Sequence, residues 1–413
     1  MAILRAFRGI RPVKDKAKQI ASKPYDVLNT DEAREEAKDN PYSFLHVVKP
    51  EIDLPPETGQ YSPLVYEKGK ENFNRMIKDG LFFQDEKDCL YVYALTMKGK
   101  RQLGLVGCAG VEDYMNGVIK KHELTRPVKE EDRKNHVRVS GINAEPVFFA
   151  YPDEPEIDKI INKVIEGKCE YDFSSDDGVR HSFWVIEDDD IIKKLTSLFK
   201  EIPFTYVADG HHRTAAAALI GNERKLQNPN HTGTEEYNYF LAVHFPGSQL
   251  TILDYNRVVK DLNGLSEAEF LDKLRENFAV EEKGGNEYKP DKPHNFGMYM
   301  DKKWYSLTAK QGTYNENDPI DVLDVTILYK KVHLPVLNIA DLRTDKRIDF
   351  IGGIRGLGEL KKRVDSGEMK AAFALYPVSM KQLMDIADTG NIMPPKTTWF
   401  EPKLRSGLIV HKL

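Results

Sequence analysis

Residues 204–218 read Phe-Thr-Tyr-Val-Ala-Asp-Gly-His-His-Arg-Thr-Ala-Ala-Ala-Ala. The β-branched and aromatic residues up to Ala208 predict a buried strand, and the run of alanines that ends the stretch predicts a helix. Asp209 and Gly210 separate the two and are typical of a tight junction. The stretch therefore predicts a strand that passes almost directly into a helix, with the first helical turn at 210–213.

The start of this helix is a predicted anion site. Backbone N–H groups in a first helical turn have no partner inside the helix, and the helix dipole adds partial positive charge there. A glycine lets the backbone approach a phosphate closely, an arginine offers a planar fork to phosphate oxygens, and histidines add donors. The pattern is not a Walker A loop, because the chain has no GxxxxGK[ST] segment. The predicted phosphate- or nucleotide-binding residues are Gly210, His211, His212, Arg213 and Thr214.

Asp209, just before the helix, has two interpretations. Its carboxylate could cap the helix by accepting hydrogen bonds from first-turn N–H groups. It could instead take part in proton transfer, or hold a Mg²⁺ ion that also binds phosphate, since a carboxylate beside a phosphate is otherwise repulsive. The sequence leaves both open, and Asp209 is a candidate catalytic and metal-binding residue.

A second candidate segment, residues 119–127, places one glutamate among basic residues. The neighbouring cations would keep Glu123 ionised, as a general base requires. His122 and Arg126 are candidate contacts for a substrate or a phosphate. Two alternatives stay open. The segment could be a solvated charged turn, or His122 and Glu123 could form a metal site with the histidines at 211–212. The spacing of these residues lacks the HExxH pattern of a tight zinc site.

Two further cations are candidate contacts for a substrate or a phosphate. Arg8 lies in an arginine-containing N-terminal segment. Lys396 lies in the segment Pro-Pro-Lys-Thr-Thr at 394–398, which is stiffened by its prolines and carries donors that could close over an anion. The alternative for both residues is a purely structural role.

The composition limits the class of protein. The chain has 413 residues, of which 40% are hydrophobic and 30% charged, as in globular proteins of more than one domain. A formal net charge of −5 disfavours nucleic acid as the main partner. Three scattered cysteines without CxxC spacing argue against a disulfide framework and a Cys-rich zinc site. We find no signal-peptide pattern and no membrane-spanning run, so we expect a cytoplasmic protein with no membrane partner.

The order of predicted strands and helices indicates an α+β fold with mixed sheets rather than a doubly wound sheet. Two β-rich runs, at 89–96 and 102–111, flank Lys-Gly-Lys at 98–100 and predict a hairpin. We expect an N-terminal α/β region at 1–100, a catalytic core at 101–260 with an insertion at 150–200, and a C-terminal α+β region at 261–413.

The junction and the upstream His122-Glu123 pair together resemble the free serine kinases of the ParB/sulfiredoxin superfamily. In that family a Gly-x-His-Arg-type loop at a helix start holds the nucleotide phosphate, and a glutamate from an upstream His-Glu segment acts as base on the serine hydroxyl. Most of the chain also resembles a large bacterial family long described as a domain of unknown function, whose members share the Asp-Gly-His-His-Arg loop. The segments that carry this second resemblance are 7–12, 24–27, 40–45 and 393–398.

The resemblance implies a ParB/sulfiredoxin-like nucleotide-binding core within 101–260. Glu123 would be the base, Asp209 would assist catalysis or bind metal, and residues 210–213 would hold the phosphates of ATP or ADP, with Mg²⁺ as cofactor. The implied reaction moves phosphate between the nucleotide and the serine hydroxyl and gives O-phosphoserine. The 86-residue separation of Glu123 and Asp209 (209 − 123) is longer than in the compact kinases. The chain also has Asn-Arg at 256–257 where many relatives have His-Arg.

Two alternative functions stay open. The same site could run in the opposite direction, as a phosphoserine phosphatase or a phosphoserine:ADP phosphotransferase of serine biosynthesis. It could also belong to a ParB-like nucleotide-binding protein that is not an enzyme. The expected partners are small molecules, namely a nucleotide and serine or phosphoserine, and a homodimer is compatible with the sequence.

Overall fold

The computed structural model describes all 413 residues, Met1–Leu413. They form two units: unit 1 comprises Met1–Leu250 and Pro402–Leu413, and unit 2 comprises Thr251–Glu401. These boundaries differ from those of the three predicted regions. The hairpin predicted from 89–111 spans the expected boundary at residue 100, and its two strands pair with each other. The C-terminal segment also returns to unit 1, so unit 1 is discontinuous in sequence.

The helices are numbered in chain order. The α-helices are α1 (Ala17–Ile20), α2 (Thr30–Ala37), α3 (Leu45–Val48), α4 (Pro63–Lys78), α5 (Val111–Met115), α6 (Pro127–Ser140), α7 (Pro155–Val164), α8 (Asp189–Lys200), α9 (His211–Gln227), α10 (Glu267–Asn277), α11 (Asp324–Leu328), α12 (Gly356–Asp365) and α13 (Met380–Asp388). Short 3-10 helices lie at Lys14–Lys16, Pro50–Asp53, Glu236–Asn238, Gly247–Gln249 and Gly353–Arg355. A π-helix at Tyr329–His333 continues α11.

The strands are numbered in the same way. They are β1 (Ile10–Pro12), β2 (Phe82–Gln84), β3 (Leu90–Met97), β4 (Lys100–Gly110), β5 (Ile119–Lys120), β6 (Ile142–Asn143), β7 (Val147–Tyr151), β8 (Tyr171–Ser174), β9 (Arg180–Ile186), β10 (Thr205–Asp209), β11 (Tyr239–Pro246), β12 (Ile252–Leu253), β13 (Tyr255–Val259), β14 (Phe278–Gly284), β15 (Asn295–Met300), β16 (Lys303–Ala309), β17 (Ile348–Gly352), β18 (Ala371–Ala374), β19 (Trp399–Phe400) and β20 (His411–Lys412).

Unit 1 is built around an eight-stranded mixed sheet with the order β5-β10-β7-β11-β4-β3-β9-β8. β10 runs parallel to β5, β11 runs parallel to β7, and the other neighbours are antiparallel. The predicted hairpin is β3 and β4. Residues 150–200, expected as an insertion, supply β8 and β9 at one edge of this same sheet. The mixed sheet and the irregular order of elements confirm the α+β class.

The parallel pair of β5 and β10 explains how distant residues come together. Its register places Ile119 opposite Thr205, an offset of 86 residues (205 − 119). Glu123 and Asp209 are separated by the same 86 residues (209 − 123). Because the carboxyl ends of parallel strands meet at the same edge of a sheet, the chain that follows β5 and the start of α9 leave the sheet side by side.

Small residues let α9 lie directly on this sheet. Its four consecutive alanines are buried, and two of them, Ala217 and Ala218, share a core cluster with Val207 and Phe149. At Gly221 a Cβ atom would lie 2.3 Å from a neighbouring carbonyl oxygen, so only glycine fits there. Since protein interiors are close-packed, this contact sets the position of the whole helix, including its first turn.

Unit 2 contains a six-stranded antiparallel sheet with the order β14-β16-β15-β18-β13-β17. Asn256 and Arg257, the pair that departs from many relatives, lie on β13 and are fully buried. The guanidinium of Arg257 donates to the backbone oxygens of Tyr255 and Pro395, and it takes part in none of the ion pairs. Lys396 also belongs to this unit, where its ammonium lies 5.6 Å from the ring centre of Tyr255.

None of the helices has the length and the apolar run that a bilayer crossing needs. All three cysteines are free thiols. Cys89 and Cys108 are buried, and burial raises the pKa of the Cys89 thiol to about 11. A thiol with so high a pKa is a poor nucleophile, so Cys89 is a packing residue.

Candidate active site

The strand–helix junction turns at Gly210, whose φ of 94° and ψ of 36° lie in the left-handed region. A Cβ atom here would lie 3.0–3.1 Å from guanidinium atoms of Arg213. Glycine is therefore required both for the backbone angle and for the space. Gly210 is the N-cap of α9, and a glycine offers no capping side chain to the first-turn amides. Asp209 is therefore not the N-cap, which excludes the capping role for that residue.

Asp209 ends β10, and two cations hold its carboxylate. Oδ1 accepts a hydrogen bond from Lys403 Nζ at 3.0 Å, and Oδ2 accepts one from Arg213 Nη2 at 3.1 Å. Burial by itself would raise the pKa of Asp209, but the charges of Lys403 and Arg213 outweigh it and lower that pKa to about 2. Asp209 is therefore ionised at neutral pH.

Arg213 points into the interior of unit 1. Its Nη1 donates to the carbonyl oxygen of Pro146 at 2.8 Å, in addition to the Nη2 bond to Asp209. Burial opposes its charge, but Asp26, Glu145 and Asp209 outweigh burial and raise its pKa. It also lines a cavity of about 50 Å³. Its Nε–H has no partner, but the side chain is only 7% exposed, so its placement favours a role in orienting Asp209.

His122, Glu123 and His211 meet beside the start of α9. One ligand atom of each, a ring nitrogen or a carboxylate oxygen, lies within 4.8 Å of the other two. The two rings are perpendicular, with centres 4.5 Å apart, and both are buried, whereas Glu123 is half-buried. Burial lowers the pKa of His122 to about 4 and that of His211 well below its ordinary value. Both imidazoles are therefore neutral at pH 7.

His212 is placed differently from its neighbour. It is half-buried, and its Nε2 accepts a hydrogen bond from the backbone N–H of Arg126 at 3.0 Å. Burial and the charge of Arg126 lower its pKa to about 4, so the neutral ring carries its proton on Nδ1. Thr214 is fully buried and its hydroxyl donates to the carbonyl oxygen of Gly210 at 3.0 Å. Thr214 therefore stabilises the first turn of α9 from inside.

Two further candidates have other described partners or positions. Arg8 is exposed, and its Nε donates to the carbonyl oxygen of Asp85 at 3.0 Å. Lys396 belongs to unit 2. The candidates that gather at the junction are His122, Glu123, Arg126, Asp209, Gly210, His211, His212, Arg213 and Thr214.

Sequence reasoning missed Lys403. This residue lies 194 positions after Asp209, in the C-terminal segment that returns to unit 1. The segment is held by backbone bridges between Ser406 and Ser22 and between Val410 and Ile10. No local pattern around Lys403 signals an ion pair, because the contact depends only on how the chain ends pack.

The family model described as "Protein of unknown function (DUF1015)" matches residues 4–326. The chain belongs to this family. The matched span includes the cluster at 122–123 and 209–214, and it extends into unit 2. Lys403 and Lys396 lie beyond it. No curated protein matches the chain.

Several solved structures are similar to the chain at low identity. A mutant of a free serine kinase in complex with AMP is 14% identical over 72% of this chain and 86% of that chain, with a TM-score of 0.37. A conserved hypothetical protein from Pyrococcus furiosus is 16% identical over 73% of this chain and 93% of that chain, with a TM-score of 0.34. SbnI from Staphylococcus aureus, truncated at its C-terminus, is 11% identical over 72% of this chain and 82% of that chain, with a TM-score of 0.39. Scores this low do not establish a fold or an activity for this chain.

Proposed function

We propose that this protein is a phosphotransferase of the free-serine-kinase type, which moves phosphate between ATP or ADP and the hydroxyl of serine to give O-phosphoserine. The observation that carries the proposal is the position of Glu123, whose carboxylate lies within 4.8 Å of ring nitrogens of His122 and of His211 at the start of α9. A candidate base and an anion-binding helix start then share one small site. Phosphoryl transfer depends mostly on such positioning and on charge stabilisation.

The transferred phosphate would bind at the first turn of α9. Amides at a helix start are directed out of the helix, and the dipole favours a negative ligand there. His212 would add a ring N–H, because its Nε2 already accepts from the backbone of Arg126. Lys403, held 3.0 Å from Asp209, would add a cation at the end of β10. These groups would stabilise charge on the phosphoryl oxygens.

Glu123 would accept the proton of the attacking hydroxyl. As the serine oxygen bonds to phosphorus, its O–H bond breaks and the proton moves to the carboxylate. The bond from phosphorus to the nucleotide oxygen breaks at the same time, and the shortened nucleotide leaves. The buried neutral rings of His122 and His211 would limit the access of water to the carboxylate. They would thereby favour transfer to serine over hydrolysis.

Asp209 fits poorly as a direct ligand of Mg²⁺. Both of its oxygens already accept hydrogen bonds, one from Lys403 and one from Arg213. Mg²⁺ usually binds through substrate phosphates and one or two carboxylates, so it would reach this site bound to the nucleotide. Asp209 would orient Lys403 and Arg213 rather than bind the metal.

Phosphorus NMR tests the proposal directly. The full chain would be incubated with Mg²⁺, with ATP or ADP, and with serine or a panel of other amino acids and hydroxy compounds. We expect an O-phosphoserine resonance in the mixture of nucleotide and serine, and no new phosphorus resonance with the other amino acids or hydroxy compounds. The reverse mixture, phosphoserine with and without ADP, tells a reversible transferase from a phosphatase, because a phosphatase releases free phosphate without nucleotide. No turnover with serine in either direction would refute the assignment.

A further inference from the structure

The cluster of His122, Glu123 and His211 also has the donor atoms of a metal site. Two imidazoles and one carboxylate, each with a ligand atom within 4.8 Å of the others, form the donor set that proteins use for divalent transition metals. Two of the donors are adjacent in sequence and follow β5, and the third lies in the first turn of α9. The donors therefore come from two elements whose positions the sheet determines.

The surroundings of the His122 ring resemble those of a metal-binding histidine. The His122 ring forms a hydrogen bond with the backbone of Val207, and this bond raises the pKa of the ring. The ring nitrogen is therefore the donor and the carbonyl oxygen of Val207 is the acceptor. Metal-binding histidines almost always donate their second N–H in this way, which fixes the ring orientation. Val207 lies on β10, so the strand next to β5 orients the ring.

His211 supplies an independent observation. Its side chain is buried, with 7% exposure, and its Nε2 has no hydrogen-bond partner. A buried polar atom without a partner is destabilising, and such atoms are uncommon in native proteins. A cation bound by this nitrogen would remove that cost.

We propose that His122, Glu123 and His211 bind one divalent transition-metal cation. Imidazole donors favour Zn²⁺, Co²⁺, Fe²⁺ or Mn²⁺ over Mg²⁺, which prefers oxygen ligands only. Ligand atoms at about 2.1 Å from a metal lie roughly 3–3.5 Å from one another. Small adjustments of the three side chains would bring the donor atoms from within 4.8 Å of one another to that separation.

The bound cation would be open to a further ligand. Three protein donors leave at least one coordination position free, and the charge of the cation exceeds that of the single carboxylate. The site therefore suits an anion or a hydroxyl oxygen as the next ligand. The inference stands on the donor geometry and does not require phosphoryl transfer to occur. With one oxygen of Glu123 on the cation, the other oxygen would remain to accept a proton.

Metal titration of the full chain tests the inference without reference to activity. Metal-free protein would be titrated with CoCl₂ and followed by visible absorption, and with ZnCl₂ and MgCl₂ followed by calorimetry. We expect binding of about one Co²⁺ or Zn²⁺ per chain, with weak d–d bands and no thiolate charge-transfer band. MgCl₂ alone should bind far more weakly. Binding of Mg²⁺ as tight as that of Zn²⁺, or no Co²⁺ binding, would overturn the inference.

Two variants and one control locate the metal. Glu123→Gln and His211→Asn should each weaken Co²⁺ binding by more than about tenfold, because loss of a group that only orients a metal ligand already weakens binding by about 10–100-fold. His231→Ala is the matched control, because His231 also lies beside a glutamate, with Nδ1 3.1 Å from Glu235. It should leave the affinity unchanged. Far-UV circular dichroism checks that each variant is folded. Unchanged affinity in a folded Glu123→Gln protein, or an equal loss in His231→Ala, would refute the site.

Discussion

The ion pair between Asp209 and Lys403 should couple the C-terminal segment to the junction. We consider the double-mutant cycle of Asp209→Asn and Lys403→Met. At the observed 3.0 Å, two unit charges attract by about 5–6 kcal/mol at an effective dielectric constant near 20. The side chains of Lys403 and Asp209 are 19% and 25% exposed, respectively, so solvent and desolvation reduce the net value. Exposed pairs contribute about 0–1 kcal/mol and truncation of a buried pair costs about 3–5 kcal/mol.

We therefore expect a coupling energy of about 2 kcal/mol between these two residues. Amide hydrogen exchange, measured peptide by peptide, is the suitable assay because it reports local opening free energies and follows unit 1 separately from unit 2. The matched control is the pair Lys68 and Glu71 in α4, at a similar 3.1 Å but with a glutamate that is 65% exposed. Its cycle, Lys68→Met with Glu71→Gln, should give about 0.5 kcal/mol or less.

The cycle also has a pH signature. The pKa of Asp209 is lowered in the folded state to about 2, so the stability it contributes is present above its unfolded value of about 3.9 and is lost as the pH falls towards 2. Lys403→Met should remove part of that pH dependence. A coupling energy no larger than that of the control pair would show that the packing of the C-terminal segment, and not this charge pair, holds it in place.

Three further predictions concern stability. Gly210→Ala should destabilise unit 1 by at least about 1–2 kcal/mol in urea unfolding, because an L-residue at φ 94° is strained and the added Cβ meets Arg213; unchanged stability would contradict the junction geometry. Arg257→Met should raise the melting temperature, because burial lowers the pKa of this unpaired guanidinium to about 9 and an apolar side chain avoids that cost; a lower melting temperature would contradict this. Burial lowers the pKa of His244 to about 4, so this histidine binds a proton more readily in the unfolded chain and should cost about 2 kcal/mol of stability as the pH falls from 7 to 5. Calorimetric scans at the two pH values should show this loss, and equal melting temperatures would contradict it.

The junction itself could be predicted from the sequence because its signals are local. Strand formers, Asp209-Gly210 and an alanine run follow one another within 204–218, and the structure has β10 and α9 at these positions. The proximity of Glu123 could not be predicted in the same way. It depends on parallel pairing of β5, which is only two residues long and too short to give a period-two pattern.

The roles of the charged residues also lay beyond the sequence. Arg213 is predicted as a phosphate contact, and in the structure two of its guanidinium nitrogens contact Pro146 and Asp209; no local pattern signals these two partners. The N-cap alternative for Asp209 was excluded only by the left-handed backbone of Gly210. Lys403 joins the site through chain ends that meet in space, and such contacts have no sequence period.

The central claim is that Glu123 acts as the base on a phosphate held at the start of α9. The most direct test compares the serine-dependent turnover of Glu123→Gln with that of Glu112→Gln, a control at an exposed glutamate of α5. We predict that kcat falls by about 10²–10⁴ in the first variant and stays unchanged in the second. A loss of less than about threefold in a folded Glu123→Gln protein would contradict the account.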